Sequence, residues 1–306
     1  MTSTLSAPIV TQRTSLRTLC MLEAKGYLRR ASIWIGLAVS VATTVTVVLA
    51  TVSEDEDWSG GAYESSIPAG FIPITLGVLI AAIRTGGRDR SPDLPELAEE
   101  APFGAEQRTI ARLVGLVTPV ALCCLGVVGI AILSRIEGGF WIGDAPRRTD
   151  TALHHFVELL QPPLLVAFVG AAGVAAGRAG RRTAVPLIVG FVVWFVLFTV
   201  YWAWNSPGLH VFALLQTQPM SVDLPVDTDP NTLPADWLVD DPGQWSSWQR
   251  QFVHLPTVVW HNVYLVGLIV VSSGLALRGG SARRLVTAGA VLAAAGVIAQ
   301  TLVSPY

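Results

Sequence analysis

Lysine is all but missing from this chain: Lys25 stands alone, and arginine supplies the rest of the 20 basic residues. That bias points to a GC-rich bacterial genome. Charge of either sign is scarce, at 14% of 306 residues against about 25% in an ordinary soluble domain. Cysteine is also scarce. Cys20, Cys123 and Cys124 cannot make a disulfide framework, and they read as small buried apolar residues. The phosphate-binding pattern G-x-x-x-x-G-K-[ST] is absent, so the chain does not hydrolyse nucleotide through a P-loop. H-E-x-x-H, C-x-x-C and G-x-S-x-G are absent too, and no catalytic residues are expected. No cleavable signal peptide is expected either. The first apolar run, from Ala31, is too long for a signal core and lacks an A-x-A site after it.

What the chain has instead is 52% hydrophobic residues gathered into long runs. A bilayer core about 30 Å thick needs about 20 helical residues. Runs at 31–52, 67–83, 110–134, 156–176, 184–204, 255–277 and 285–303 meet or approach that length. The second is short and opens with Pro68, Gly70 and Pro73, while the seventh is rich in Ala and Gly. The expected fold is therefore an all-α integral membrane bundle of six to seven transmembrane helices. Residues 1–30 form a basic N-terminal arm and residues 31–306 a single transmembrane domain.

In the arm, Leu16, Leu19, Cys20 and Tyr27 fall near one helical face, and Glu23 interrupts it. The expectation is an amphipathic helix lying in the membrane interface. With the N-terminus inside, inner segments hold 16 of the 20 basic residues and outer segments 15 of the 22 acidic ones. Basic residues favour the cytoplasmic face. The chain thus reads as a multi-pass protein of a bacterial plasma membrane with a cytoplasmic N-terminus.

Two polar segments stand out. Residues 84–112 lie on the arginine-rich side, between the second and third runs. Residues 205–254 lie outside and are rich in Pro and Asp, with Trp237, Trp245 and Trp248 interleaved. Composition alone favours disorder there, but the tryptophans argue for short helices dipping into the outer interface.

Three side-chain patterns suggest chemistry or packing. His154, His155 and Glu158 sit at the outer end of the fourth run, and His254 and His261 share a face of the sixth. Together they make either a metal or haem site or a hydrogen-bonded patch with Glu158 open to water. Gly170, Gly173, Gly177 and Gly180 form a stripe suited to close helix packing. Trp194, Phe195, Phe198, Tyr201, Trp202 and Trp204 lead the fifth run outward. The last three suit an interfacial belt. The inner members, with Trp202, mark a pathway for an apolar or aromatic substrate.

The basic arm, the Arg88–Asp89–Arg90 start of the inner segment, its Leu94-Pro-Glu-Leu and Pro102-Phe-Gly-Ala-Glu-Gln-Arg-Thr-Ile-Ala-Arg runs, and Trp260-His-Asn-Val-Tyr-Leu-Val-Gly-Leu together resemble the ABC-2-type permease subunits of actinobacterial ABC transporters. The resemblance implies a non-enzymatic transport subunit that pairs with a second permease subunit and binds two separate ATPase subunits. These would carry the ATP and Mg, with no cofactor on this chain and no nucleic-acid partner. It implies export of an amphipathic lipid, peptide or antibiotic. It also implies that ATPase docking falls on Glu23, Arg88, Arg90, Leu94, Glu96, Leu97, Glu99, Glu100, Phe103 and Arg108. Two other classes stay open: a membrane metal- or haem-binding oxidoreductase using the histidines, and a non-catalytic membrane sensor or scaffold.

Overall fold

Pro73 sits in the middle of a helix and leaves the carbonyl of Ala69 without its usual N–H donor. The hydroxyl of Thr43, on the neighbouring helix, donates to that carbonyl at 2.6 Å. Ser40, one turn earlier on the same neighbour, accepts from the Ile74 N–H at 3.1 Å. Hydroxyls on one helix thus complete the backbone of another, which is how a proline is accommodated inside an apolar bundle. The second run is accordingly longer than its hydropathy suggests. It forms one helix, Gly61–Gly86, with Pro68 and Pro73 both inside it.

The computed structural model describes residues 12–52, 61–90, 103–136, 138–142, 149–180, 184–203, 210–216, 220–223, 229, 238–240 and 249–303. Helix α1 (Gln12–Leu28) is followed by α2 (Ala31–Val52) and α3 (Gly61–Gly86). A 3-10 turn at Arg88–Arg90 precedes α4 (Ala105–Gly115) and α5 (Val117–Ile136). Then come α6 (Phe156–Leu159), α7 (Gln161–Ala179), α8 (Ala184–Ala203), α9 (Leu255–Ala276) and α10 (Gly280–Val303). The third run is thus two helical pieces meeting at Leu116. Pro119 lacks the N–H that would bond the Gly115 carbonyl, and the ladder breaks there.

Among the described residues, five helical stretches are long and apolar enough to cross a membrane: Ser65–Gly86, Ala105–Ile136, Phe156–Ala179, Leu255–Ala276 and Gly280–Val303. A sixth arises if Leu16–Leu28 and Ala31–Val47, bent by 53°, count as one; Ala184–Leu197 is a shorter apolar stretch.

Helix α3 is the buried spine, packed against α2 on one side and α7 on the other. Ile67, Ile74, Val78 and Ala81 of α3 and Leu165 and Val166 of α7 make the centre of the core. Two members of the glycine stripe of α7, Gly173 and Gly177, lie in this seam, while Gly170 lies against Leu116. Gly173 faces Ala82 and Leu79, Gly177 faces the Ile83 carbonyl, and Gly86 of α3 faces Val174 in return. Only glycine lets two backbones approach so closely. Helix α10 is held mainly by α9, through a second set of small contacts: Gly267 on Ala293, Gly289 on Val271 and Gly296 on Tyr264.

Among the described residues, two small antiparallel sheets interrupt the helices. Phe140–Ile142 (β1) pairs with Thr149–Ala152 (β2). Met220–Asp223 (β3), Leu238–Asp240 (β4) and Gln249–Phe252 (β5) form a sheet in the order β3-β5-β4. Within the 205–254 segment the described residues form these strands and a 3-10 turn at His210–Phe212, where short helices were expected; its other residues lie outside the described ones.

Candidate functional site

The bundle has two polar ends of different character. At one end the last two turns of α1, the Arg88–Arg90 turn and α4 meet around Arg112. This guanidinium is almost fully buried and grips Asp89 with both terminal nitrogens, Nη1 to Oδ2 at 3.0 Å and Nη2 to Oδ1 at 2.5 Å. Arg108 Nε approaches the same carboxylate at 3.4 Å, and Arg108 Nη1 donates to the Phe103 carbonyl at 2.5 Å. Arg112 Nε turns the other way, to Glu23 Oε1 at 3.8 Å, and Arg88 Nη1 reaches Glu23 Oε2 at 3.3 Å.

Glu23 therefore does not mar an otherwise apolar helix face. It is the residue that pairs α1 with the arginines. Below it, Thr118 Oγ1 donates to the Ala24 carbonyl at 3.1 Å, and Gly115 lies against the backbone of Glu23 and Ala24. Burial alone would raise the Asp89 carboxyl, but hydrogen bonds and charge from Arg112 and Arg108 outweigh it and hold it below its ordinary value. The arginine-rich ends of α7 and α9 join here as well: Arg178 donates to the Ala276 carbonyl.

Of the residues expected at a partner interface, Glu23, Arg88, Phe103 and Arg108 are placed at this junction. Leu94, Glu96, Leu97, Glu99 and Glu100, and the side chain of Arg90, lie outside the described residues.

At the opposite end, α3 and α6 build a buried polar cluster. Tyr63 Oη donates to Glu158 Oε2 at 2.9 Å, and His154 Nδ1 stands 3.1 Å from the same oxygen. The His155 N–H donates to Glu158 Oε1 at 2.8 Å, because His155 caps α6 and Glu158 is the third residue of its first turn. His154 Nε2 meets Ser66 Oγ at 2.7 Å, and the Tyr63 ring lies over the imidazole with centroids 4.1 Å apart. Glu158 is 1% exposed, so the expectation of a water-accessible carboxylate is corrected. Three donors replace water, as a buried carboxylate requires. The line Ser66–His154–Glu158 has the order of a hydrolase triad, but Ser66 is 0% exposed and a substrate carbonyl has no approach to it.

The other two histidines go elsewhere. His254 Nδ1 meets Thr257 Oγ1 at 2.7 Å, and His261 Nδ1 meets Gln300 Oε1 at 3.1 Å between α9 and α10. No group of three or more His, Cys, Asp or Glu side chains arranged to hold a metal occurs among the described residues. The residues of the metal or haem reading thus split into separate hydrogen-bonded sites. Tyr63 and Ser66 were not legible as partners, since nothing local in sequence ties them to a histidine 88 or more residues away.

Between the two ends, Trp194 lines an apolar cleft of about 430 Å³ with Leu79, Phe168, Val189, Gly190 and Leu197, and its Nε1 donates to Thr75 Oγ1 at 2.8 Å. Phe195 points outward, half exposed, beside Phe191 at 6.2 Å. The side chains of Phe198 and Trp202 lie outside the described residues.

No protein-family model, curated protein or solved structure matches the chain.

Proposed function

We propose that this chain is the membrane-spanning permease subunit of an ATP-driven exporter of ABC-2 type, sited in a bacterial plasma membrane with its arginine-rich end in the cytoplasm. The ion network around Arg112 carries the reading. It joins the arm helix, the start of the 84–112 segment and the first turns of α4 into one unit. A force applied to that segment from outside the membrane is thereby delivered to α1, α3 and α4 together.

The chain has no P-loop of its own, so the force comes from partner ATPase subunits holding ATP and Mg. Seven crossings follow if α2 and α8 also span, with α1 lying in the inner interface. The apolar cleft beside Trp194 suits the hydrocarbon part of an amphipathic cargo, a lipid, peptide or antibiotic. A second permease subunit completes the translocation path.

The test is purification of the tagged chain from its native membrane. A nucleotide-hydrolysing chain is expected to co-elute, and reversing Glu96, Glu99 and Glu100 to lysine should abolish substrate-stimulated ATP hydrolysis. A preparation with full transport but no such companion overturns the proposal, as does undiminished stimulation in the triple reversal.

A further inference from the structure

The arginine-rich end of the bundle carries more positive charge than its carboxylates answer. Arg30, Arg84, Arg88, Arg108 and Arg112 all lie there. Among the described residues two carboxylates pair with this set, and both are already shared: Asp89 by Arg112 and Arg108, Glu23 by Arg88 and Arg112. Arg30 and Arg84 have no carboxylate within ion-pair distance among the described residues.

The packing of α2 on α3 places those two arginines at one level. The helices run antiparallel: Ser40 Oγ accepts from the Ile74 N–H, and Ser32 Oγ donates to the Gly77 carbonyl at 3.0 Å. Gly77 and Arg84 are two turns apart on α3 and so share the face that meets α2. Arg30 stands at the 53° bend between α1 and α2, just before Ser32. The end of α3 therefore brings Arg84 beneath the start of α2, near Arg30, with Arg88 in the turn beyond. Burial, and then the like charges of Arg88 and Arg84, push the Arg30 guanidinium below its ordinary value. Arginine keeps its charge regardless, so this repulsion stays in the fold until an anion offsets it.

The surroundings decide the kind of anion. Leu28, Trp34 and Ile35, on either side of Arg30, are exposed, and Trp34 Nε1 donates to the Leu28 carbonyl at 2.6 Å across the bend. Met21 and Leu22 are exposed on α1 among Arg17, Lys25 and Arg29. Apolar and basic side chains thus share one surface at the level where α2 enters its apolar run. A soluble anion leaves the apolar half of that surface bare, whereas a lipid covers both halves. An acidic protein docked from the aqueous side would reach the arginines and leave Trp34 and Ile35 uncovered.

We propose that Arg30, Arg84 and Arg88 form a seat for the phosphate of an anionic phospholipid whose chains lie along the exposed start of α2. The guanidinium groups supply paired N–H donors suited to phosphate oxygens. The lipid ties the arm helix to α2 and α3 at the bend, next to the Arg112 network and sharing Arg88 with it. The proposal requires only that this end of the bundle meet a membrane. It does not depend on an ATPase partner, so the two can fail separately.

The experiment uses the full-length chain in detergent, with dioleoyl phosphatidylglycerol or dioleoyl phosphatidylcholine added. Native mass spectrometry reads the lipid retained, and the thermal midpoint reads its effect. Phosphatidylglycerol is expected to be retained in preference to phosphatidylcholine and to raise the midpoint. Arg30→Gln and Arg84→Gln should each weaken its retention about fivefold, the effect of one arginine near an anionic surface. Neither residue holds a carboxylate among the described residues, so both variants should elute as wild type. Arg283→Gln with Arg284→Gln removes two exposed charges from the start of α10 and should leave retention unchanged. Equal retention of the two lipids, an equal loss in the α10 control, or the same stabilisation by glycerol phosphate alone overturns the proposal. So does full lipid retention in Arg30→Gln with Arg84→Gln when a co-purifying protein is lost, which would make the surface a protein-docking one.

Discussion

Asp89→Ala is expected to destabilise the protein by about 3–5 kcal/mol, the cost of leaving a buried ion without its partner. The arginine it abandons, Arg112, is 2% exposed. Its remaining carboxylate contact is Glu23 at 3.8 Å, which Arg88 already shares. Glu23→Ala should cost far less, about 1 kcal/mol, because Arg88 has 41% of its side chain in solvent and can hydrate. Thermal unfolding in detergent, read by loss of monodisperse protein, ranks the two.

The double replacement Asp89→Leu with Arg112→Met should recover most of the loss, since apolar residues of similar size need no desolvation. If the double variant is no better than Asp89→Ala, Arg112 acts through something other than its charge. The pH dependence has a fixed sign. Asp89 is held below its ordinary value in the folded protein, so its contribution is complete above about pH 4 and disappears as pH falls through the lower folded value. The gap between wild type and Asp89→Ala should close in that acidic range.

The positions of the helices were largely legible in the sequence, because apolar length is a local property. The runs starting at Ala31 and Leu255 begin where α2 and α9 begin. The run ends were less clear wherever a polar stretch is helical, as at Gly61–Ser66 and Ala105–Thr109, where hydropathy falls before the helix does. Polar pairings were the least legible. Glu23 interrupts an apolar face only until its partners, Arg88 and Arg112, are brought up from 65 and 89 positions away.

The i,i+4 spacing of His154 and Glu158 announced a contact. Nothing in that spacing announced Tyr63, or that His261 would turn to Gln300 on the next helix instead of joining the other imidazoles. Partners drawn from distant helices are set by the packing angle of those helices, and a single chain's periodicity does not encode it. The same limit hid the β3-β5-β4 sheet: three- and four-residue strands carry too little pattern to be recognised between prolines.

Gly177→Ala is the packing change with the largest expected effect. A methyl group there would overlap the Ile83 carbonyl oxygen and stand 3.0 Å from the Gly87 amide nitrogen. Both obstacles are backbone, and a backbone cannot rotate out of the way as a side chain can. The seam between α3 and α7 must therefore open, at about 1–3 kcal/mol for the first methyl and more for valine. The damage extends beyond the seam, because Gly86 and Gly87 lead directly into the Arg88–Arg90 turn. Displacing that turn pulls Asp89 from Arg112, so Gly177→Val should combine a packing defect with the ion-pair loss described above and prevent recovery of folded protein.

Gly129→Ala is the control: it lies in α5 with nothing within 4 Å of the added methyl. Its effect should be neutral or stabilising by up to about 1 kcal/mol, the helix preference of alanine. Size-exclusion profiles and thermal midpoints of the three variants decide the matter. Wild-type behaviour from Gly177→Val would mean that α3 and α7 are not in backbone contact, and the rigid path from the arginine-rich end into the bundle would be lost with it.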